Sequence, residues 1–257
     1  MLGNGTSLIP YQKDVLLNLV TCALVIAGGI GFPVIFELPL KHFSWKRQSM
    51  HTRVVLSTTF ALLLFGTLLL KLTESISWLG AFFYSVSART AGFSTYNLSD
   101  FSTAGLLVVS GLMFIGASPA STGGGIKTTT FFVLLSGIYS AATNHSERAF
   151  HNAIPKDAFR KASVISILAA FLVMTASYLM LIFDPQLSLR DVLFEMISAF
   201  STSGLSTGIT PQLSAQSRIL SIIMMYIGRL GPLTVASLWY FTIGERVRYP
   251  EGTIAIG

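Results

Sequence analysis

The sequence predicts an all-α integral membrane protein built from repeated units, each a spanning helix, a short re-entrant helix, a polar loop and a second span. Three observations predict it. Of 257 residues, 52% are hydrophobic and only 11% charged, against about 25% charged in an ordinary soluble domain. Apolar runs recur at 15–38, 54–70, 101–116, 128–142, 164–183 and 219–243. Each is near the ~20 residues that cross a ~30 Å hydrocarbon core, or combines with a neighbour to do so. Two further apolar pieces, 78–88 and 192–200, are too short to cross, and each leads into small and hydroxylated residues.

The first run follows Gly3-Asn4-Gly5-Thr6-Ser7, with Lys13 and Asp14 of opposite sign. It lacks the basic leader of a cleavable signal and runs longer than a signal core, so it reads as a span. Residues 13–40 look like the closing span of an earlier unit whose loop would precede Met1. The single cysteine, Cys22, lies inside this span. It permits no intrachain disulfide and reads as a small core residue.

Orientation comes from the basic residues. Lys41, Lys46, Arg47 and Arg53 share one loop; Arg148, Lys156, Arg160 and Lys161 share another, and Arg246 and Arg248 lie in the tail. Together these are ten of the 17 Lys and Arg residues. The positive-inside rule makes these segments cytoplasmic and turns 1–12, 71–77, 97–102 and 184–190 outward. Trp45, Trp78 and Trp239 then fall near the interfaces, as amphipathic rings should. The formal charge of +6 is spread in short clusters between spans rather than along one face, which argues against nucleic acid as a partner and for a lipid bilayer. His42, His51, His145 and His151 lie in cytoplasmic loops at spacings that form no ligand cluster.

The two short apolar pieces would be about 14–17 Å long as helices, half a bilayer. Irregular backbone at membrane depth is tolerated only where it is buried or lines a watery cavity. A shift of 112 residues lays Thr90-Ala91-Gly92-Phe93-Ser94-Thr95 on Thr202-Ser203-Gly204-Leu205-Ser206-Thr207, and without a gap Met113-Phe114-Ile115-Gly116 on Met225-Tyr226-Ile227-Gly228. One register over a loop and the following span marks an internal repeat. The boundaries are 1–52 for the last span of an incomplete unit and its loop, and 53–156 and 157–257 for two complete units.

A pore that strips a cation of its water must return oxygens, and backbone carbonyls do so where the dihedrals aim them at the axis. Gly92 and Gly204 permit that conformation, and the hydroxyls of Thr90 and Thr202 would add ligands at the inner end. The alternative at each site is an ordinary turn after a buried helix; the duplicated context favours the filter. Residues 101–142 as one straight helix would reach about 63 Å, so the run must break. The break is expected at 118–130, where glycines and hydroxyls concentrate and Pro119 lacks its donor. It reads as a movable gate or as a static kink. A phosphate-binding loop is excluded, since Ile126 separates Gly125 from Lys127 and no strand precedes it.

Arg89-Thr90-Ala91-Gly92-Phe93-Ser94-Thr95, with Gly116-Ala117-Ser118-Pro119-Ala120-Ser121-Thr122-Gly123-Gly124-Gly125-Ile126-Lys127-Thr128-Thr129-Thr130, resembles the third pore unit of the Ktr/Trk/HKT superfamily of potassium transporters. Residues 200–210 are similar to its fourth filter, and the tail from Arg248 to Gly257 to the end of a Ktr-type subunit. The resemblance covers essentially the whole chain, but the first unit and most of the second are absent from it. It implies a potassium-channel-like fold in the bacterial plasma membrane, multi-pass, with four units around one pore. Two complete units and one closing helix lie here. It also implies potassium at Thr90, Ala91, Thr202 and Ser203, a filter of Thr90, Ala91, Gly92 and Phe93 with Thr202, Ser203, Gly204 and Leu205, and a gate of Gly123, Gly124, Gly125, Lys127 and Arg229. Partners implied are a cytosolic nucleotide-binding regulatory subunit and a second copy in a homodimer.

Arg229 interrupts the last apolar run, so it should face a wet interior, either as a barrier to cations or paired with a buried carboxylate or carbonyls. Arg89 is expected behind the first filter, at the negative end of the short helix, with Glu195 as a candidate partner. No catalytic triad or metal-ligand cluster is present, so an enzyme is not expected. Symport with sodium, transport of sodium itself, and a non-transporting fragment of such a protein remain alternatives; glycine in both loops favours potassium.

Overall fold

The computed structural model describes residues 7–143, 148–150 and 152–231. Trp239, His145, His151 and the tail after 231, including Arg246 and Arg248, lie outside the described residues. Among the described residues the regular structure is helical, save for a two-residue antiparallel ribbon pairing Arg148–Ala149 with Asn152–Ala153 and an isolated bridge between Ile115 and Ile126.

Helix α1 (Val15–Ile30) starts where the Asp14 carboxylate accepts the Leu17 N–H at 3.0 Å. It ends at Gly31, whose φ of +88° takes the chain out of the helix, and α2 (Phe32–Leu40) leaves at 96°. The single span expected over 15–38 is therefore two helices. Glycine alone adopts that turn without a Cβ penalty, and proline near the start of α2 needs no donor. Helix α3 (Met50–Thr73) follows, then the short α4 (Trp78–Ser87), α5 (Thr103–Phe114), α6 (Thr128–Thr143), α7 (Lys156–Phe183), the short α8 (Leu189–Ser201) and α9 (Ala215–Leu230). Helices α3 and α7 are apolar and long enough to cross a membrane, and α1 with α2 qualifies as one bent span. The run 101–142 breaks as its length demands, at 115–127 rather than 118–130, because Ile115 leaves α5 to pair with Ile126.

Burial is distributed against the usual pattern of a soluble bundle. The short helices hold the core: Phe83, Tyr84, Phe194 and Phe200 are at most 1% exposed. Tyr84 belongs to one buried cluster with Leu70, Leu106, Met113 and Phe194, and Phe200 to another with Met180, Met196 and Met224. The long helices turn large apolar residues outward, among them Phe60, Leu72, Ile167 and Phe171. Such a surface suits hydrocarbon rather than water. Trp78 opens α4 beside the Lys71 ammonium, 5.9 Å from its ring, and Trp45 meets Phe150 edge-on.

Serines start five of the helices. Ser49, Ser77, Ser102, Ser188 and Ser214 cap α3, α4, α5, α8 and α9 by accepting the N–H three positions on, each cap contributing about 1 kcal/mol. Carboxylates grip three of the N-cap serines across the sequence. Glu37 accepts the Ser49 N–H at 2.7 Å and its hydroxyl at 2.6 Å, Glu74 those of Ser102 at 3.0 and 2.6 Å, and Asp184 those of Ser214 at 3.1 and 3.0 Å. Burial works to raise the Asp184 carboxyl, but hydrogen bonds from Ser217, Ser214 and Gln186 outweigh it and hold the group below the usual carboxylate range.

Candidate functional site

Helices α4 and α8 each end inside the molecule, and the chain then changes hand at alternate residues. Thr90 and Gly92 have φ of +82° and +74°; Thr202 and Gly204 have +55° and +84°. Only Gly adopts this region freely, so the two threonines are held there at a cost of about 1–2 kcal/mol each. A backbone that alternates hands brings successive carbonyls toward one side. A serine behind each turn fixes it: Ser87 Oγ donates to the Phe93 carbonyl and Ser198 Oγ to the Leu205 carbonyl, both at 2.5 Å.

The two turns touch. Ser203 Oγ donates to the Ala88 carbonyl at 3.3 Å, and the face of Gly92 lies so close to the Ser203 carbonyl that a Cβ would collide with it. Thr90, Ala91 and Gly92 keep partial exposure while Ser203 and Leu205 are buried. Phe93, at 42%, is the most exposed of its turn.

The loop 115–127 passes directly beneath. Gly123 packs against the Thr90 hydroxyl with no room for a side chain, and the Gly124 N–H donates to Thr202 Oγ1 at 3.1 Å. Gly125, at φ +72°, lies against the Phe114 and Met113 carbonyls. Two cations hold the loop by its carbonyls: Lys127 Nζ donates to Gly123 at 2.6 Å and Arg229 donates to Thr122. The carbonyl partnership weighed for Arg229 is what the structure holds, and its carbonyl belongs to this loop. On the other flank the bend between α1 and α2 pins the loop. Ser118 N–H donates to Gly29 at 3.0 Å, Thr122 N–H to Gly28 at 3.4 Å, and Phe32 N–H to Ala120 at 3.1 Å. Sequence reasoning passed over Gly28, Gly29 and Phe32, although Gly28-Gly29-Ile30-Gly31 signals close backbone approach.

Arg89 is 6% exposed and donates to the Gly116 carbonyl at 3.4 Å. It does not pair with Glu195. That carboxylate turns toward the loop after α8, where the Thr210 hydroxyl donates to it, and among the described residues the ion pairs are Lys41 with Glu37 and Arg190 with Asp191. Glu195 lies on the side of α8 that faces its own loop, so its nearest donor is a hydroxyl there rather than Arg89. No cluster of three or more His, Cys, Asp or Glu residues able to hold a metal occurs among the described residues.

Residues 50–242 match the family model described as TrkH, cation transport protein. The chain belongs to that family. Relatives of this TrkH-family chain include the Ktr system potassium uptake protein B of Vibrio alginolyticus, 35% identical over 98% of this chain and 58% of that protein. The Ktr system potassium uptake protein D of Bacillus subtilis is 35% identical over 98% of the chain and 60% of that protein. The potassium/sodium uptake protein NtpJ of Enterococcus hirae is 33% identical, again over 60% of its length. The chain thus spans well under two thirds of these relatives. The crystal structure of the potassium transporter TrkH from Vibrio parahaemolyticus superposes with a TM-score of 0.71 over 88% of this chain and 52% of that one, at 17% identity, which carries the fold. With its apolar outward faces, the TrkH-family chain is a multi-pass membrane protein.

Proposed function

We propose that this chain supplies part of a potassium-uptake pore. The turns Thr90-Ala91-Gly92-Phe93 and Thr202-Ser203-Gly204-Leu205 form two walls of its selectivity filter, with potassium at Thr90, Ala91, Thr202 and Ser203. Gly123, Gly124, Gly125, Lys127 and Arg229 form its gate. The observation that carries this reading is the convergence of three separated glycine-containing segments, with Gly123 and Gly124 lying against the two filter threonines. A cation descending from the filter meets that loop first. Helices α4 and α8 end beside the filter and turn their negative ends toward it.

In this reading the pore repeats a span, a re-entrant helix and a span, as the matched turns after α4 and α8 suggest. A ring of four units needs more than the two complete ones here, and a homodimer and a cytosolic nucleotide-binding subunit complete the assembly. Relatives named for potassium uptake support potassium as the substrate, and the potassium/sodium relative keeps sodium open as a co-transported ion.

The test is potassium uptake by cells lacking their own uptake systems, with the full reading frame that contains this chain. Uptake that Gly92→Ser weakens, or makes less selective for potassium over sodium, supports the filter. A well-inserted protein with no potassium flux would overturn the reading.

A further inference from the structure

Behind the first turn, α1, α3 and the end of α4 enclose a small cavity lined by Val25, Ile26, Gly29, Thr59, Leu63, Val86 and Arg89. It offers about 10 Å³ to the centre of a water-sized sphere, the room one water requires. Its lining is apolar except at two side chains. Thr59 and Arg89 are each 6% exposed, and Thr59 Oγ1 and Arg89 Nε are both buried without a hydrogen-bond partner. An orphaned buried donor costs about 1–3 kcal/mol, and more when it is charged. Two such groups do not share the wall of one apolar cavity unless something polar joins them. The charge would also suit an anion, but the space is that of a single water.

We infer that this cavity binds a single water bridging Arg89 Nε–H and Thr59 Oγ1, and that Thr59 thereby acts as a positioning residue for the filter. Arg89 is one residue from Thr90, and its guanidinium also reaches the Gly116 carbonyl, where α5 has given way to the gate loop. Among the described residues it has no carboxylate partner. The bridge therefore fixes the guanidinium on its Nε side, while the Gly116 carbonyl fixes the terminal nitrogen. Thr59 sits mid-way along α3, on a residue type that sequence reading treats as neutral filler in a span. The functional consequence rests on the filter reading proposed above; the water itself does not.

The experiment uses the full-length protein and two readouts. A density map resolving ordered solvent is expected to place one water between Arg89 and Thr59; a dry cavity, or a direct bond between the two side chains, overturns the inference. In cells, Thr59→Val removes the hydroxyl at constant volume, and losing a bridging hydrogen bond of about 1 kcal/mol lowers the potassium-to-sodium uptake ratio about fivefold. Thr59→Ser restores the hydroxyl and is expected to keep the wild-type ratio. An unchanged ratio in Thr59→Val while Gly92→Ser changes it overturns the positioning role alone. If neither variant moves the ratio although the water is present, the filter reading is what fails.

Discussion

The turns after α4 and α8 share a backbone and differ in what stands behind it. Both alternate hands and both hang from a serine one turn back. Behind the first, the Tyr84 hydroxyl donates to the Tyr96 carbonyl at 2.6 Å and accepts the Tyr96 N–H at 3.1 Å, closing a ring onto the main chain. Behind the second stands Glu195, bonded to the Thr210 side chain, with its other oxygen unpartnered. Glycine placement differs in the same sense. Gly92 is wedged against Ser203, whereas a Cβ on Gly204 would meet only the Gly92 Cα at 3.8 Å. The first turn is held by a phenol closed onto the main chain and by steric contact, the second by a carboxyl–hydroxyl pair with open space beside its glycine. In the proposed filter this makes one stiff wall and one adjustable wall.

The largest effect that tests this contrast is glycine replacement. Gly92→Ala adds left-handed strain of about 1–2 kcal/mol and a collision with a carbonyl, and is expected to abolish potassium uptake at normal membrane insertion. Gly204→Ala adds only the strain, and should retain measurable uptake reduced about tenfold. Equal losses would erase the distinction. Next is the pair behind the turns: Tyr84→Phe removes two hydrogen bonds to the main chain, about 1–2 kcal/mol together. Its effect on the potassium-to-sodium uptake ratio should exceed that of Glu195→Gln, which keeps an acceptor for Thr210. The reverse order would mean that the carboxylate, not the phenol, governs selectivity.

The gate comes third. Arg229→Gln and Lys127→Met each release one carbonyl of the loop, and each is expected to raise unregulated potassium flux about tenfold, in line with about 1.5 kcal/mol for a hydrogen bond from a charged group; transport identical to wild type would remove that residue from the proposed gate. The smallest effect is at the helix starts. Asp184 titrates below the ordinary carboxylate range when folded, so its bonds to Ser214 and Ser217 contribute stability at pH values above its unfolded value. That contribution fades as pH falls through the lowered folded value. Asp184→Asn should therefore lower thermal stability at neutral pH and converge with wild type in acid; a constant gap across pH would show that the charge plays no part.

Most of the helices were legible because membrane burial leaves a one-dimensional trace: length and apolarity placed α3, α4, α5, α6 and α8 within a few residues. The break after α5 was legible for a length reason, since 101–142 could not remain one helix. The bend at Gly31 was missed because 15–38 had a suitable length for one span, and length alone does not distinguish a straight helix from an elbow. The juxtaposition of Gly123 and Gly124 with Thr90 and Thr202 follows from three-dimensional closure, which spacing along the chain does not encode. The Arg89–Glu195 pairing failed for the same reason: opposite charge makes a partner plausible, but the side of the helix on which each residue emerges decides it. The grip of Glu74 on Ser102 and of Asp184 on Ser214 spans about thirty residues, beyond the reach of any local capping pattern.

The pinning of the loop 115–127 has a thermal consequence. Opening it means parting the bonds from Ser118 and Thr122 to Gly29 and Gly28, from Phe32 to Ala120, and from Gly124 to Thr202, a set whose breakage is endothermic. Conduction through the proposed gate should therefore rise with temperature more steeply than diffusion through an open channel does. Shortening the loop's attachments would flatten that dependence before it changed which ion passes.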